Sequence, residues 1–266
     1  MTEYKSMLEY HRSEENNDRC APFMADSERL YEIGKSYAEN FMELYEKRSD
    51  DVIYWENSRG GAGLHRGYYC PSPVLDLVTG GLNRGKLLKR KTTNKSDFEY
   101  GFDANEKLTL TRQNYENIES IGAELIFNKD GVETGISAEI NSFSEKGYGI
   151  KEASESHYEN GRICSWCICF FNFGQGIWEY RKEDYEYSCE GLKTFDLYSL
   201  HYSKAEPMLR HSKYVFEHDE EGYLSRYKVF EEEPEIYEKF KIPISEGLKK
   251  ELTKECWYEI GQKRKV

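Results

Sequence analysis

Residues 214–230 read Tyr-Val-Phe-Glu-His-Asp-Glu-Glu-Gly-Tyr-Leu-Ser-Arg-Tyr-Lys-Val-Phe, the clearest β-hairpin signature in the chain. Apolar residues alternate with polar ones on both sides of an acidic turn that ends in Gly222. This alternation around a glycine-containing turn is typical of two antiparallel strands that each bury one face. The sequence therefore predicts a hairpin from Tyr214 to Phe230.

Related patterns recur upstream of this hairpin. They lie at Tyr100 to Leu108, Leu125 to Val132 and Trp166 to Tyr180. The second has an Asp-Gly turn, which favours a tight hairpin connection. Because the spacing between the units is irregular, the pattern indicates an antiparallel sheet over residues 98–230 and not a solenoid. The polar residues Ser142 to Asn160 are expected to form a loop.

Helices are predicted on both sides of this region. Apolar residues at helical spacing predict a helix from Ser27 to Lys47, whereas residues 1–25 are polar, contain Pro22 and are expected to be poorly ordered. Residues 234–262 are predicted as a helical end, with Ser245 capping its second helix. We therefore predict an α+β fold: a central, mainly antiparallel sheet of successive hairpins with helices at the N- and C-terminal ends.

The composition limits the domain organisation and the class of partner. The chain has 266 residues, which we assign to a single domain, residues 1–266. Its 49 acidic and 37 basic residues give a formal charge of −12. Phosphate binding needs a positive field, so this charge disfavours nucleic acid and favours a basic protein partner.

Hydropathy and cysteine usage predict the compartment. No apolar run of the chain is long enough for a membrane span, and the region after Met1 is charged where a secretory signal would be apolar. Seven cysteines at irregular spacing are typical of reduced thiols. These features predict a cytoplasmic protein, and they leave its oligomeric state open.

Two glycine-rich stretches resemble nucleotide-binding loops but depart from them. Gly80 to Lys86 has P-loop spacing, yet Leu87 stands where Ser or Thr would hold magnesium. In the Gly60 to Gly67 loop, Arg66 occupies the position of the third glycine of a dinucleotide loop. A turn and a surface loop are the better interpretations, so no cofactor is predicted.

Metal and nucleophilic sites are also weakly supported. Cys164, Cys167 and Cys169 lack a second ligand pair, and their alternation favours buried thiols in a strand that is buried on both faces. No serine lies in a nucleophile elbow. No metal site and no catalytic residues are predicted. The sequence favours a protein that is not an enzyme, and an enzyme stays open as the alternative.

The hairpins carry a family resemblance. The units at Tyr100 to Leu108, Leu125 to Val132 and Tyr214 to Leu224 resemble those of YD-repeat (Rhs) proteins, and also hairpins of immunity proteins from bacterial contact-dependent toxin systems. The immunity resemblance implies a non-catalytic inhibitor that masks the active site of a toxin. We therefore expect a cytoplasmic immunity protein that neutralises a basic toxin domain such as a nuclease.

The expected partner surface combines acidic and aromatic residues, which steer and then anchor a basic protein. Its residues are Asp219, Glu220, Glu221, Tyr223, Tyr227, Glu231, Glu232 and Tyr237. The alternative is an enzyme or a small-ligand-binding protein with a pocket near the Gly60 to Gly67 loop and Lys86. A deep cleft with converging histidines and carboxylates would favour that alternative.

Overall fold

The structure is a computed structural model, and it confirms the α+β class. It describes residues 3–89, 96–115, 120–141, 146–202, 206–253 and 256–266. Antiparallel strands follow one another as hairpins, with helices near both ends of the chain. Two compact units are present: a central unit, Arg29–Gly176, and a terminal unit formed by Met1–Glu28 and Ile177–Val266. Compact units need not fold independently, so the single domain stays a prediction.

Within the described ranges, α-helices and antiparallel strands make up the fold, and α2 is its longest element. The helices are α1 (Met7–His11), α2 (Glu14–Ser36), α3 (Phe41–Asp51), α4 (Leu75–Val78), α5 (Glu233–Lys239) and α6 (Glu246–Leu252). The strands are β1 (Tyr54–Arg59), β2 (Lys86–Leu87), β3 (Phe98–Phe102), β4 (Leu108–Asn114), β5 (Ser120–Lys129), β6 (Val132–Asn141), β7 (Tyr148–Glu159), β8 (Arg162–Asn172), β9 (Gly176–Tyr187), β10 (Leu192–Tyr202), β11 (Pro207–His218), β12 (Leu224–Glu231) and β13 (Tyr258–Glu259).

The strands of the central unit pair in the order β2-β1-β3-β4-β5-β6-β7-β8. The predicted hairpins at Tyr100 and Leu125 are β3-β4 and β5-β6, and Asp130-Gly131 forms the turn of the second. The predicted loop Ser142 to Asn160 is wrong from Tyr148 onward, because β7 occupies that segment and pairs with β6 and β8. Residues 142–145 lie outside the described residues.

The second part of α2 and the turn that follows it cover one face of the central sheet. The ring of Tyr37 lies 5.2 Å from that of Phe127, and the ring of Tyr31 lies 5.1 Å from that of Phe171. Gly34 allows this close approach, since a Cβ there would lie 2.4 Å from Phe171. These aromatic contacts bury large apolar surfaces, and burial is the main stabilising term in packing.

In the terminal unit, the strand order is β9-β10-β11-β12-β13, and the opening hairpin is confirmed as β11-β12. The first part of α2 packs on this sheet, where the ring of Phe23 lies 4.9 Å from that of Tyr198. A separate apolar cluster joins the two ends of the unit. Its buried residues are Tyr4, Tyr10, Ile236, Phe240 and Ile242.

The expectation of a poorly ordered N-terminus is wrong. Tyr10, Asn16 and Cys20 are buried, and the Asn16 side-chain amide donates to the carbonyl of Pro207 at 3.0 Å. Helix α2 begins at Glu14 and includes Pro22, and a separate helix, α3, begins at Phe41, so the predicted single helix from Ser27 to Lys47 has both boundaries wrong. Tertiary contacts thus order a segment whose local sequence is polar.

The C-terminal region is only partly the predicted helical end. Helix α5 ends at Lys239, and Ser245 Oγ accepts a hydrogen bond from the Leu248 amide at 3.3 Å, as expected of a cap. Helix α6 ends at Leu252. Within 256–266 the chain is extended, and β13 pairs with β12, so the predicted helix over residues 234–262 is wrong there.

Candidate functional site

The eight predicted partner residues all lie in the terminal unit, along the β11-β12 hairpin, directly after it and on α5. Asp219, Glu220 and Glu221 are exposed at the turn, which we call the acidic tip. Glu231 and Glu232 lie at the other end of β12. Seven strand steps separate Leu224 from Glu231, a distance of about 24 Å. The structure therefore divides the predicted surface into two parts.

Asp219 organises the backbone of the acidic tip. Its Oδ1 accepts hydrogen bonds from the amides of Glu221 at 3.0 Å and Tyr223 at 2.9 Å. Gly222 has a φ of +80°, a conformation that glycine adopts without strain. Asp219 is thus a structural residue of the turn, and the carboxylates of Glu220 and Glu221 remain on its exposed surface.

The aromatic members of the predicted surface have different neighbours. Tyr227 lies within a cluster of rings, 5.2 Å from Tyr258 and 5.9 Å from Tyr214. Tyr223 is half-buried beside the acidic tip, and the ammonium groups of Lys263 and Lys265 lie over its ring. Tyr223 is therefore the aromatic residue that shares a surface with the exposed glutamates.

The other end of the hairpin holds a paired carboxylate. Glu232 accepts hydrogen bonds from Arg19, and its Oε2 lies 3.5 Å from Nδ1 of His211. Burial raises the pKa of Glu232, but its bonds to His211 and Arg19 outweigh burial and lower the pKa to about 2. The other nitrogen of His211, Nε2, lies 2.8 Å from Asp196 Oδ1. The carboxylate of Glu232 is thus bound by Arg19 and His211 of the same unit.

A cavity of about 440 Å³ opens beside this cluster. Its lining includes His11, Arg19, His211, Glu231, Glu233 and Tyr237. Glu231 accepts a hydrogen bond from Ser212 Oγ at 2.7 Å, and Tyr237 packs against the apolar cluster around Tyr10. Two predicted partner residues, Glu231 and Tyr237, therefore line a concave surface.

The central unit contains a buried charge cluster that sequence reasoning missed. Arg66 makes a bidentate ion pair with Glu124, with Nε–Oε2 and Nη2–Oε1 distances of 2.8 Å each, and its Nη1 donates to Glu133. His65 Nε2 lies 3.1 Å from Glu124 Oε1, and its Nδ1 lies 3.4 Å from Glu152 Oε2. We call these five residues the central charge cluster.

Register explains why the three glutamates face the same side. Residues that pair directly across an antiparallel ladder share a face, and side chains alternate along each strand. Glu124 pairs with Ser137, which pairs with Glu152, so these residues form one row across β5, β6 and β7. Glu133 lies four residues before Ser137 on β6 and therefore on the same face. This face is polar, although its central part is buried.

The Gly60 to Gly67 loop carries His65 and Arg66 onto that face. Arg66 has a left-handed backbone, with a φ of 57°. The buried Tyr100 hydroxyl fixes the loop, since it accepts from the Tyr68 amide and donates to the Arg66 carbonyl, both at 3.0 Å. Burial raises the pKa of Tyr100 to about 12, so the phenol stays protonated at neutral pH. Hydrogen bonds thus hold the loop in place.

The protonation states of the charge cluster follow from its geometry. Burial lowers the pKa of His65, but the charge of Glu124 and hydrogen bonds to Glu124 and Glu152 outweigh it and raise the pKa to about 9. Burial raises the pKa of Glu124, but Arg66 and His65 lower it to about 2. Both residues are therefore charged at neutral pH, and each compensates the other.

In the P-loop-like stretch, Gly80 to Lys86, the basic side chain of Arg84 is bound to groups of the chain itself. Arg84 Nε lies 3.1 Å from the buried carboxylate of Asp76, and its Nη1 donates to the Cys70 carbonyl at 2.8 Å. Lys86 is paired with Arg59 across β2 and β1. The guanidinium of Arg84 thus binds the chain's own groups. Three further basic residues that follow this stretch, Arg90, Lys91 and Lys95, lie outside the described residues.

The cysteine segment is strand β8. Cys167 and Cys169 are buried and Cys164 is half-buried, as the predicted strand with both faces covered requires. In the part of the chain that the structure describes, no group of three or more His, Cys, Asp or Glu side chains is arranged to hold a metal ion.

No helix within the described residues is long and apolar enough to cross a membrane. Searches against protein-family models, curated proteins and solved structures find no match for this chain. The function of the chain is therefore inferred from its own residues and their geometry.

Proposed function

We propose that this chain is a protein-binding inhibitor, a cytoplasmic immunity protein that neutralises a basic toxin domain such as a nuclease. The observation that supports the proposal is the acidic tip. There, the exposed Glu220 and Glu221 lie beside the half-buried ring of Tyr223, on a turn that Asp219 holds. With a net charge of −12, the chain would attract a basic domain.

The surface chemistry suits binding in two steps. Exposed carboxylates attract a basic partner over distances of about a Debye length, which raises the association rate. The ring of Tyr223, over which Lys263 and Lys265 lie in the free chain, then offers a contact for a lysine or arginine of the partner that has lost part of its hydration. An inhibitor of this kind needs no catalytic group, because occupying the toxin's active site is sufficient.

Charge reversal at the acidic tip tests the proposal. The double substitution Glu220→Lys, Glu221→Lys is expected to slow association with a basic toxin domain encoded by a neighbouring gene about tenfold or more at low ionic strength. Asp219 is left intact because its carboxylate holds the turn. Association is measured by stopped-flow fluorescence at several salt concentrations.

The control is Asp18→Lys, Glu28→Lys, which changes two exposed acids on α2 and shifts the net charge equally. Equal association rates of the two variants would show that the interface does not include the acidic tip. The function itself fails if no neighbouring gene product binds the chain and if deletion of its gene leaves cells equally sensitive to the neighbouring toxin.

Small-ligand binding is a second candidate function, favoured by a cavity of about 480 Å³ in the central unit. Glu133 of the charge cluster lines it, together with Lys107, Lys129 and Tyr158. Because Arg66 neutralises Glu133, the two lysines of the lining outnumber its remaining carboxylate, Asp130, and this excess of one positive charge suits an anion. Arg66 links the cavity to the Gly60 to Gly67 loop, whereas Lys86 does not line it.

Pyrophosphate is a suitable probe for this second function. Calorimetric titration is expected to show saturable binding that weakens about tenfold or more in Lys107→Ala, Lys129→Ala, since each ammonium is a charge-assisted donor. The control Lys249→Ala, Lys250→Ala removes two exposed lysines of α6. Absence of binding, or equal affinity in both variants, would exclude an anion site in this cavity.

A further inference from the structure

The last residues of the chain cross the end of the β11-β12 hairpin. The Ile260 amide donates to the Ser225 carbonyl at 2.8 Å, continuing the pairing of β13. Further along, the Arg264 carbonyl accepts from the Leu224 amide at 2.9 Å. The Val266 carbonyl accepts from the Leu192 amide at 3.1 Å. Backbone hydrogen bonds thus seat residues 260–266, which we call the C-terminal strap, on this end of the terminal sheet.

The basic side chains of the strap contact the acidic tip. Lys263 Nζ lies 3.3 Å from Glu221 Oε2 and 5.0 Å from the centroid of the Tyr223 ring. Lys265 Nζ lies 4.7 Å from the same centroid. Two ammonium groups, two residues apart in sequence, therefore lie against one aromatic ring. This arrangement is that of cations recognised by an aromatic ring and a neighbouring carboxylate.

We propose that the surface formed by Glu221 and Tyr223 recognises an extended lysine-rich segment with Lys-x-Lys spacing, and that the C-terminal strap is its resident occupant. The inference rests on the proposed function, because the external occupant would be such a segment of the basic partner. Charge complementarity supports this choice. The partner's lysines would take the positions that Lys263 and Lys265 hold.

The side-chain contacts of Lys263 and Lys265, in contrast to the backbone hydrogen bonds of the strap, can be exchanged for those of another occupant. Lys263 and Glu221 are both largely exposed, and exposed ion pairs contribute little to stability. Cation–π contacts at exposed sites are also weak. A partner that competes with the strap binds with an affinity reduced by the fraction of molecules in which the surface is open. The side chains of Lys263 and Lys265 therefore act as a weak mask over the recognition surface, while the backbone of the strap stays in place.

The test uses a peptide with the strap's own sequence, residues 258–266, carrying a fluorophore. It is titrated into the full chain and into Lys263→Gln, Lys265→Gln, which keeps the backbone hydrogen bonds of the strap. The peptide is expected to bind this variant about tenfold more tightly than the original chain, since the competing ammonium groups are gone. Adding Tyr223→Leu to the variant is expected to remove the gain.

The matched control is Lys249→Gln, Lys250→Gln, which changes the net charge equally on α6 and should leave peptide affinity unchanged. A peptide with glutamine at both lysines should bind no variant. Equal peptide affinity for the original chain and Lys263→Gln, Lys265→Gln would show that the two lysines do not mask the surface. If the gain in peptide affinity persists after Tyr223→Leu, Tyr223 does not belong to the surface that binds the peptide.

The outcomes also separate this inference from the proposed function. If the peptide responds as expected but no neighbouring gene product binds, the lysine-recognising surface stands and the immunity function fails. If a toxin domain binds the original chain and Lys263→Gln, Lys265→Gln equally well, yet loses affinity on charge reversal of Glu220 and Glu221, the function stands and the mask fails.

Discussion

Replacing Gly135 by alanine is expected to lower the free energy of unfolding by about 3–5 kcal/mol, the cost of disrupting a buried ion pair. A Cβ at Gly135 would lie 2.0 Å from Glu124 Oε1, 2.6 Å from Arg66 Nη2 and 2.6 Å from Ser154 Oγ. Real Cβ atoms do not approach other atoms so closely. The methyl group would therefore separate Arg66 from Glu124.

The surroundings of Gly135 allow little relaxation. Arg66 and Glu124 are both buried, and Arg66 also donates to Glu133, so moving its guanidinium would disturb a second ion pair. A carboxylate left without its partner in a buried position is strongly unfavourable. One methyl group at Gly135 thus destabilises the fold because Arg66 no longer compensates the charge of Glu124.

The control is Gly149→Ala on β7. Gly149 also lies in a strand of the central unit, but a Cβ there meets nothing within 4 Å. Alanine at a compatible position is neutral or slightly stabilising, because it restricts the unfolded chain. Urea unfolding followed by circular dichroism measures both variants. Equal stability of the two would show that the charge cluster does not depend on the space at Gly135.

The hairpins could be predicted from sequence because their signals are local. In β11-β12, the alternation around Phe216 places one set of side chains on the buried face, and Gly222 supplies the left-handed residue of the turn. In β5-β6, the Asp130-Gly131 dipeptide likewise marks the position of the turn between the two strands. Strand period and turn chemistry can both be read within a window of about ten residues.

Order at the N-terminus could not be predicted because its causes are distant in sequence. Asn16 is buried because its side-chain amide reaches the carbonyls of His11 and Pro207, both at 3.0 Å. Arg19 is held by Glu232 and the carbonyl of Leu209. Apart from His11, these partners belong to β11 and to the residue that follows β12. A polar segment is therefore helical here for tertiary reasons.

The central charge cluster left only a faint trace in the sequence. Glu124 lies between the apolar residues Ala123 and Leu125, at a strand position whose neighbour of the same face, Ile126, is buried. A carboxylate at such a position implies a buried cation. Nothing in the spacing indicates Arg66, which lies 58 residues away in a glycine-rich loop. Only the folded register brings the two together.

Between pH 6.5 and pH 9, rising pH is expected to reduce the free energy of unfolding by up to about 3 kcal/mol through His65. The pKa of His65 rises from 6.5 to about 9 on folding. A difference of about 2.5 pH units corresponds to about 3 kcal/mol, at about 1.36 kcal/mol per unit. Below pH 6.5 both states hold the proton, and this stabilisation is fully present.

The sign follows from where the proton is lost. As pH rises above 6.5, the unfolded chain releases the proton of His65 while the folded chain retains it, and above about 9 both states are neutral. Glu124, with a pKa of about 2 in the folded chain and 4.5 otherwise, is ionised in both states throughout this window. Its contribution is therefore constant there and is lost only as pH falls from 4.5 through 2.

His65→Gln is expected to remove most of this dependence, because glutamine keeps hydrogen-bonding groups but does not titrate. Urea unfolding at pH 6 and pH 9 compares the variant with the original chain, so that other titrating groups cancel. The control is His157→Gln, which removes an imidazole that is 42% exposed and 3.8 Å from Glu155, a pair that contributes little. An unchanged slope in His65→Gln would mean that Glu124 and Glu152 do not hold the proton on His65, and that Arg66 alone compensates the buried carboxylates.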